Sequence, residues 1–311
     1  MKRPKVCVVG ASNIDLISYL PRLPALGETL HGDRFATGFG GKGANQAVMA
    51  AKLGAHVVMI TKVGRDDFGD RTLDNFRGFG IDVEQVSQTA QASTGVAPIF
   101  VDPDGNNAIV IVTGANDLLD ASDIDAARPA MAAAGVVICQ LEIPVDVTAG
   151  ALRTARAEQT LTILNPAPAR DDLPAELLAD CDVLCPNQSE AGLLTGRSVE
   201  TVEDAFDAAR ELLGRGPRSV VVTLGSAGCV VADQSGMDHL SGLSVEVVDS
   251  TGAGDAFVGA LSYYLARGED LREAAGWANR IAALSVRRPG TQTSYPDRSE
   301  LPAEVLASLE G

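Results

Sequence analysis

Apolar and polar positions follow two periods along this chain, and together they predict alternating strands and helices. Short β-branched runs without polar breaks are typical of strands buried on both faces of a parallel sheet. Such runs occur at residues 6–10, 57–60, 136–141, 161–164, 183–185 and 220–224. The apolar spacing of amphipathic helices occurs at residues 44–53, 69–79, 145–158, 201–213 and 271–287. This order predicts an α/β fold, a doubly wound, mostly parallel sheet flanked by helices.

Two regions interrupt this alternation. Residues 93–101 and 108–112 are rich in strand formers and flank an Asp-Pro-Asp-Gly turn at 102–105, which predicts a hairpin. Residues 12–41 hold two further short strands and no helical period. We expect these strands to form a small β-sheet lid, inserted from residues 12–41 and 94–113 of a single domain that spans residues 1–311.

Composition narrows the class of protein. Hydrophobic residues make up 46% of the chain, yet no apolar run approaches the roughly 20 residues of a membrane helix. The formal charge of −16 disfavours nucleic acid as a partner. The basic start at residues 1–5 precedes an apolar run too short for a signal peptide. Five cysteines without a Cys-x-x-Cys pair fit a reducing cytoplasm, which is where we expect the protein.

The strongest candidate for chemistry is Asp-Ser-Thr-Gly-Ala-Gly-Asp-Ala-Phe at residues 249–257. A β-branched run at 245–248 precedes it and a helical period follows, which predicts a strand, a glycine turn and a helix start. Glycines allow a ligand close to the backbone, and free N–H groups of a first helical turn attract an anion. Asp255 lies in that turn, where an acid suits a general base. The alternative is an ordinary helix N-terminus with a first-turn acid.

A second glycine-rich turn, at residues 38–43, precedes a predicted helix. Its literal G-x-G-x-x-G spacing does not predict a dinucleotide site, which needs the motif directly after the first strand and an acid about 20 residues on. Here the first strand ends near Gly10 and residue 62 is a lysine. The turn also lacks the Lys-Ser/Thr pair of a P-loop. It is either a tight structural turn or a place where Lys42 and Asn45 meet the hydroxyls of a small polyol.

These two stretches resemble the paired signatures of the ribokinase-like (PfkB) carbohydrate kinases. Residues 249–255 resemble the C-terminal signature, and Gly-Gly-Lys-Gly-Ala-Asn-Gln-Ala at residues 40–47 resembles the N-terminal one. The signatures stand in the family's order, and matching blocks run from Val8 to Ser294. Departures are small, namely Ser250 where threonine is usual and Ile-Asp-Leu-Ile at residues 14–17.

The resemblance implies an ATP-dependent sugar kinase in which the second aspartate of the motif is the base. The implied catalytic residues are Asp255 and the Gly-Ala-Gly anion hole of Gly252, Ala253 and Gly254. The implied sugar ligands are Asn13, Asp15, Gly41, Lys42, Asn45, Glu142 and Asp255. Residues 40–47, 93–97 and 165–169 favour D-ribose, phosphorylated at O5. Deoxyribose, fructose, adenosine and pseudouridine stay open, as does a catalytically silent sugar sensor, which the retained motif disfavours.

The resemblance also implies positions for the nucleotide and for two cations. The implied ATP ligands are Asn187, Thr223, Gly225, Ser226, Gly228, Gly254 and Asn279. Glu190, in an Asn-x-x-Glu motif, would hold Mg²⁺ through water, although the pattern alone is an ordinary helix cap. An activating K⁺ would lie at Asp249, Thr251, Ser285, Arg288, Gly290 and Ser294. We further expect a homodimer formed through the lid sheets, because the exposed edges and apolar face of a small sheet need cover.

Overall fold

The computed structural model describes residues 3–310, so the first two residues of the basic start and both outer limits of the predicted domain lie outside the described residues. The strands are β1 (Lys5–Val9), β2 (Asn13–Tyr19), β3 (Arg34–Gly40), β4 (His56–Gly64), β5 (Val86–Thr89), β6 (Gly95–Val101), β7 (Asn107–Ile109), β8 (Val136–Cys139), β9 (Leu161–Leu164), β10 (Val183–Leu184), β11 (Ser219–Thr223), β12 (Cys229–Asp233) and β13 (Gly236–Leu240). The helices are α1 (Lys42–Lys52), α2 (Asp67–Gly78), α3 (Ala121–Ala132), α4 (Val145–Ala157), α5 (Ala175–Ala179), α6 (Gln188–Thr195), α7 (Val202–Leu213), α8 (Ala253–Ala266), α9 (Leu271–Ser285) and α10 (Ala303–Glu310). Within residues 3–310 no helix is long and apolar enough to cross a membrane.

The main sheet has nine strands in the order β13-β12-β11-β10-β9-β8-β1-β4-β5. All neighbours pair in parallel except β11 with β12 and β12 with β13. Alternate residues of the interior strand β1 face opposite helical layers. Val8 packs into the core that contains α1, α8 and α9, whereas Cys7 and Val9 pack into the core that contains α3, α4 and α7. The predicted doubly wound α/β fold is therefore confirmed.

A separate four-stranded sheet has the order β3-β2-β6-β7. β2 pairs antiparallel with β3 and in parallel with β6, and β6 and β7 form the predicted hairpin. The small sheet joins the main domain at a sharp turn, because β3 ends at Gly40 and α1 begins at Lys42. The lid sheet thus leads directly into the first turn of α1.

The predicted strand at residues 245–248 is wrong. This segment pairs with no strand among residues 3–310, and Val247 and Val248 are each 59% exposed. Its backbone is tied instead to the end of α9, where the Val248 N–H donates to the Val286 carbonyl over 2.8 Å. The Asp249 N–H donates to the same carbonyl, so hydrogen bonds to the end of α9, and not to a strand, hold this segment. The β propensity of a run depends on such surroundings.

Helices α1 and α8 pack unusually close, through a glycine. A Cβ at Gly259 would lie 2.6 Å from the Gln46 carbonyl oxygen and 2.8 Å from Met49 Cβ, both shorter than a normal contact. The missing side chain therefore lets the backbone of α8 rest on α1. This contact brings the N-terminal turns of the two helices together at the carboxyl edge of the parallel strands, where α/β folds place their ligands.

We expect Gly259→Ala to lower the free energy of unfolding by about 1–3 kcal/mol, the usual cost of overpacking a tight core. The matched control is Gly276→Ala in α9, where a new Cβ meets no atom within 4 Å. That variant should be stabilised by up to about 1 kcal/mol, because alanine is the better helix former. Urea unfolding measures both values, and equal stability of the two variants would contradict the close contact.

Candidate active site

Asp255 lies in the first turn of α8 and is 6% exposed. Its Oδ1 atom accepts a hydrogen bond from Gln46 Nε2 over 2.9 Å, and its Oδ2 atom accepts one from Asn45 Nδ2 over 3.0 Å. Both donors belong to the first turns of α1. The carboxylate is thus held between the N-terminal ends of two helices, a position in which both helix dipoles favour its negative charge.

The turn before Asp255 leaves room for an anion. Gly252 has φ of 76°, which favours glycine, and its carbonyl accepts the Tyr295 hydroxyl over 3.0 Å. A Cβ at Gly254 would meet no atom of the described residues within 4 Å, so the space beside this residue is open. The Ala253 N–H donates to the Ser250 carbonyl over 3.2 Å. The structure brings the predicted anion-hole residues together at one helix N-terminus, with one of their three N–H groups engaged by the turn itself.

Polar side chains border the same region on the side of α1. The Lys42 N–H donates to Glu142 Oε2 over 2.8 Å, and Asn13 Oδ1 accepts from Asn116 Nδ2 over 2.9 Å. Gly41 has φ of 86°, and a Cβ there would lie 2.7 Å from the Ala11 carbonyl oxygen. The start of α1 therefore lies against the connection between β1 and β2, and the residues predicted to bind sugar converge there.

This pocket concentrates negative charge around one lysine. Burial raises the pKa of Asp15 to about 6, and the charge of Glu142 adds to the rise. Burial also raises the pKa of Glu142 and of Glu190, although the Lys42 ammonium opposes both shifts. The pKa of Lys42 is raised chiefly by Asp255, with burial opposing. Crowded carboxylates that accept hydrogen bonds suit a ligand with many hydroxyl groups.

A cavity of about 330 Å³ opens on the other side of the α8 N-terminus. It is lined by six of the seven residues predicted to bind ATP, namely Thr223, Gly225, Ser226, Gly228, Gly254 and Asn279. Val245 and Val247, whose segment forms no strand, contribute an apolar wall together with Phe257. An apolar slot that ends at a helix N-terminus suits a nucleotide, whose base is flat and whose phosphates are anionic.

The seventh predicted ATP residue, Asn187, lies outside the lining of this cavity. It caps α6 in a capping box with Glu190. Each carboxylate oxygen of Glu190 accepts one N–H from Asn187, from the backbone and from Nδ2, both over 2.9 Å. The motif therefore forms the helix cap that its pattern predicts. Each Glu190 oxygen also keeps a lone pair for another donor.

The residues predicted to hold K⁺ come from two segments that hydrogen bonds join. The Asp249 carboxylate accepts from the N–H groups of Gly290, over 2.8 Å, and Thr251, over 2.9 Å. Burial acts to raise the pKa of Asp249, but these donors outweigh it and lower the pKa. Arg288 donates to the Ser294 carbonyl over 3.3 Å. Ser285 is buried at the end of α9, with its hydroxyl on the Ala282 carbonyl.

Sequence reasoning assigned no role to several buried amides around Asp255. Gln46, Gln140 and Asn165 form one hydrogen-bonded chain, and Gln292 donates to Asn45 Oδ1 over 3.1 Å. Gln46 and Asn165 stand inside the motifs at residues 40–47 and 165–169. The sequence does contain a signal for such residues, namely a polar residue at a position that its apolar neighbours predict to be buried. A buried polar side chain needs a hydrogen-bond partner, so such a position predicts a polar contact.

Comparison with known proteins identifies the family. A sequence model of the pfkB family carbohydrate kinases matches residues 3–298. Ribokinase of Mus musculus is 46% identical over 305 residues, which cover 97% of this chain and 94% of that protein. Deoxyribokinase of Salmonella typhimurium is 39% identical over 291 residues, which cover 94% of this chain and 95% of that protein.

A solved structure shows the same architecture. Arabidopsis thaliana ribokinase complexed with ribose and ATP superposes with a TM-score of 0.89 at 32% identity, over 99% of each chain. The chain therefore belongs to the pfkB family of carbohydrate kinases. It is an ATP-dependent carbohydrate kinase, as the paired signatures predict.

We expect Asp15→Asn to stabilise the sugar-free protein at pH 8 but not at pH 4. The folded state holds the Asp15 proton up to about pH 6, whereas an unfolded chain releases it near pH 4. Stability is therefore lost as the pH rises through this window and stays lower above it. The gain for asparagine at pH 8 should be about 1–3 kcal/mol.

Urea unfolding at pH 4, 6 and 8 measures this difference. Asp33→Asn is the control, because it removes the same charge from an exposed residue of the lid, directly before β3. An equal effect of Asp15→Asn at all three pH values would contradict the raised pKa.

Proposed function

We propose that this protein transfers the γ-phosphoryl group of ATP to O5 of D-ribose and forms ribose 5-phosphate. The observation that carries the proposal is the position of Asp255. It stands at the N-terminus of α8, between the polar pocket beside α1 and the cavity that Gly254 lines. The names of the relatives, ribokinase and deoxyribokinase, support a pentose as substrate. The complex of the Arabidopsis protein with ribose and ATP supports both ligands.

Asp255 acts as the general base on the primary hydroxyl of the sugar. The sugar lies in the polar pocket, where its hydroxyls meet Asn13, Asp15, Gly41, Lys42, Asn45 and Glu142. As the hydroxyl oxygen attacks the γ-phosphorus, its proton passes to the carboxylate, and negative charge grows on the transferring group. The N–H groups of residues 252–254 stabilise that charge. The Ala253 N–H contributes after it leaves the Ser250 carbonyl, so phosphate binding includes a small rearrangement of this turn.

Glu190 and Asn187 fit a role in holding Mg²⁺ through water. The buried Glu190 carboxylate is already oriented by Asn187 and retains one lone pair on each oxygen, which suits water ligands of a metal ion. Glu190 and Asn187 would hold the ion through its water ligands, and the ion would supply positive charge that offsets the charge of the phosphates. The two residues then orient the phosphates without direct contact with the nucleotide base.

A panel of sugars tests the substrate, and Asp255→Asn tests the base. ADP release measured with ATP and D-ribose, 2-deoxyribose, fructose, adenosine and pseudouridine should give the highest kcat/KM for ribose.

Asp255→Asn should lower kcat with ribose by about 10²–10⁴, the usual contribution of a general base, with sugar affinity nearly unchanged. The exposed Asp125→Asn in α3 should match the wild type. Near wild-type turnover of Asp255→Asn would overturn the assignment, as would a uniform lack of activity across the panel.

We propose that K⁺ activates the reaction through the loop that carries Asp249 and Thr251. A large cation held by carbonyls, hydroxyls and the Asp249 carboxylate, together with Ser285, Arg288, Gly290 and Ser294, would fix the turn at residues 252–254. Preorganised N–H groups stabilise developing charge best.

K⁺ should therefore raise kcat more than Na⁺ does, and Asp249→Ala should abolish the difference. Equal rates in K⁺ and Na⁺ buffers, or an unchanged K⁺ response in Asp249→Ala, would contradict this site.

We propose that two copies pair through their lid sheets. The lid exposes Phe35, Ile109, Val110 and Val112, each about half exposed or more. The register places Phe35, Val110 and Val112 on one face of the lid sheet and Ile109 on the other. A second copy, related by a two-fold axis, would cover the face that carries Phe35, Val110 and Val112. Light scattering should show a dimer at micromolar concentration, and Phe35→Asp should yield a folded monomer. A monomeric wild type would overturn the proposal.

A further inference from the structure

A buried chain of carboxamides leads to the Asp255 carboxylate. Gln46 Nε2 donates to Asp255 Oδ1 over 2.9 Å and to Asn165 Oδ1 over 3.1 Å. At the other end of the same side chain, Gln46 Oε1 accepts from Gln140 Nε2 over 2.6 Å. Gln46 and Gln140 are each 0% exposed. The base is therefore connected to strands β8 and β9 through a single side chain of α1.

The orientation of the Gln46 amide is determined from both ends. Asn165 Nδ2 donates to the Cys185 carbonyl over 2.9 Å, which turns Asn165 Oδ1 toward Gln46. One end of the Gln46 amide thus meets a carboxylate oxygen and an amide oxygen, and only an NH₂ group can satisfy both. With the NH₂ group directed there, Oε1 faces Gln140.

The hydrogen-bonded chain includes one buried oxygen atom that has no partner within residues 3–310, which lowers the stability of the fold. Gln140 Oε1 is buried and has no hydrogen-bond partner among the described residues. A Cβ at Gly10, directly after β1, would lie 2.0 Å from this oxygen, so glycine at this position leaves space for Gln140 as it is oriented here. A buried acceptor without a partner is destabilising, and an apolar side chain of similar shape would avoid the cost. Such a cost is expected where the polar group serves the site rather than the fold.

We infer that Gln46 is a positioning residue that sets the rotation of the Asp255 carboxylate. With Gln46 on Oδ1 and Asn45 on Oδ2, the plane of the carboxylate is fixed, and the lone pairs without amide partners are left for the proton of the sugar hydroxyl. Gln46 acts through Asp255, whereas Asn45 belongs to the proposed sugar site. The inference rests on the proposed role of Asp255 as the base. The competing explanation is that Gln46 is a core residue that needs its hydrogen bonds satisfied and nothing more.

A double-variant experiment on the full-length protein separates the two explanations. Gln46→Met keeps the length of the side chain and removes the hydrogen bonds. Alone, it should lower kcat about 10- to 100-fold with little change in the KM for ribose, because misplacing a reacting group by a fraction of an ångström to 1 Å has effects of this size. In the Asp255→Asn background it should change the residual kcat by less than about twofold, since residues that act as one unit are not additive.

The outcomes distinguish this inference from the proposed function. If Asp255→Asn loses turnover but Gln46→Met lowers kcat equally in both backgrounds, or not at all, the positioning role is wrong and the proposed function stands. If Asp255→Asn keeps turnover, the base assignment fails and the inference fails with it. Thr160→Val is the control. It deletes a buried side-chain hydrogen bond to the Met131 carbonyl just before β9, at the end of the parallel strands opposite the candidate site, and should leave kcat unchanged.

Gln140→Met extends the test in case Gln46→Met does not fold. It removes the donor to Gln46 Oε1 and also the oxygen that has no partner, so folding is expected to tolerate it. It should lower kcat less than Gln46→Met does, and this loss should also vanish in the Asp255→Asn background. A loss that persists there would overturn the inference.

Discussion

The contact between α1 and α8 organises the rest of the molecule. Each helix begins with a glycine turn at the carboxyl edge of the parallel sheet, and Gly259 lets the two backbones approach until side chains of α1 reach the carboxylate of Asp255. The residues of α1 that we propose to bind the sugar and the turn at residues 252–254 that we propose to bind the transferring phosphate therefore lie side by side, although they are far apart in sequence. Separating the helices by the width of a methyl group would pull Asp255 away from the amides of Asn45 and Gln46.

Charge imposes a second constraint on the site. The chain carries a formal charge of −16, and the pocket itself gathers Asp15, Glu142, Glu190 and Asp255 around Lys42. Attraction for a nucleotide therefore comes from local sources, which are backbone N–H groups, helix dipoles and the cations that accompany ATP. Under the proposed function this crowding of acids has a use, because the hydroxyl groups of the sugar would donate to the carboxylates and relieve their desolvation. The same crowding raises the pKa of Asp15 in the empty pocket.

The sequence predicted much of this arrangement, and the failures have physical causes. The spacing of hydrophobic residues and the types of turn residue predicted the strands of the parallel sheet, the lid hairpin and the helix that begins at residues 252–254. These features depend on residues that are close together in the sequence. The run at residues 245–248 shows the limit, since its backbone bonds to the end of α9 rather than to a strand, a contact that only the fold creates. The chain of Gln46, Gln140 and Asn165 was missed for a related reason: its members come from α1 and from the ends of β8 and β9, and only the fold brings them within hydrogen-bond distance.

A crystal structure with D-ribose and a non-hydrolysable ATP analogue tests most directly whether Asp255 stands between the two substrates. We expect ribose O5 within about 2.6–3.2 Å of an Asp255 carboxylate oxygen, the reach of a general base. The terminal phosphate of the analogue should lie at the N–H groups of residues 252–254, with the adenosine in the cavity that Asn279 lines. Ribose bound with a different hydroxyl at Asp255, or a nucleotide bound outside that cavity, would contradict this arrangement.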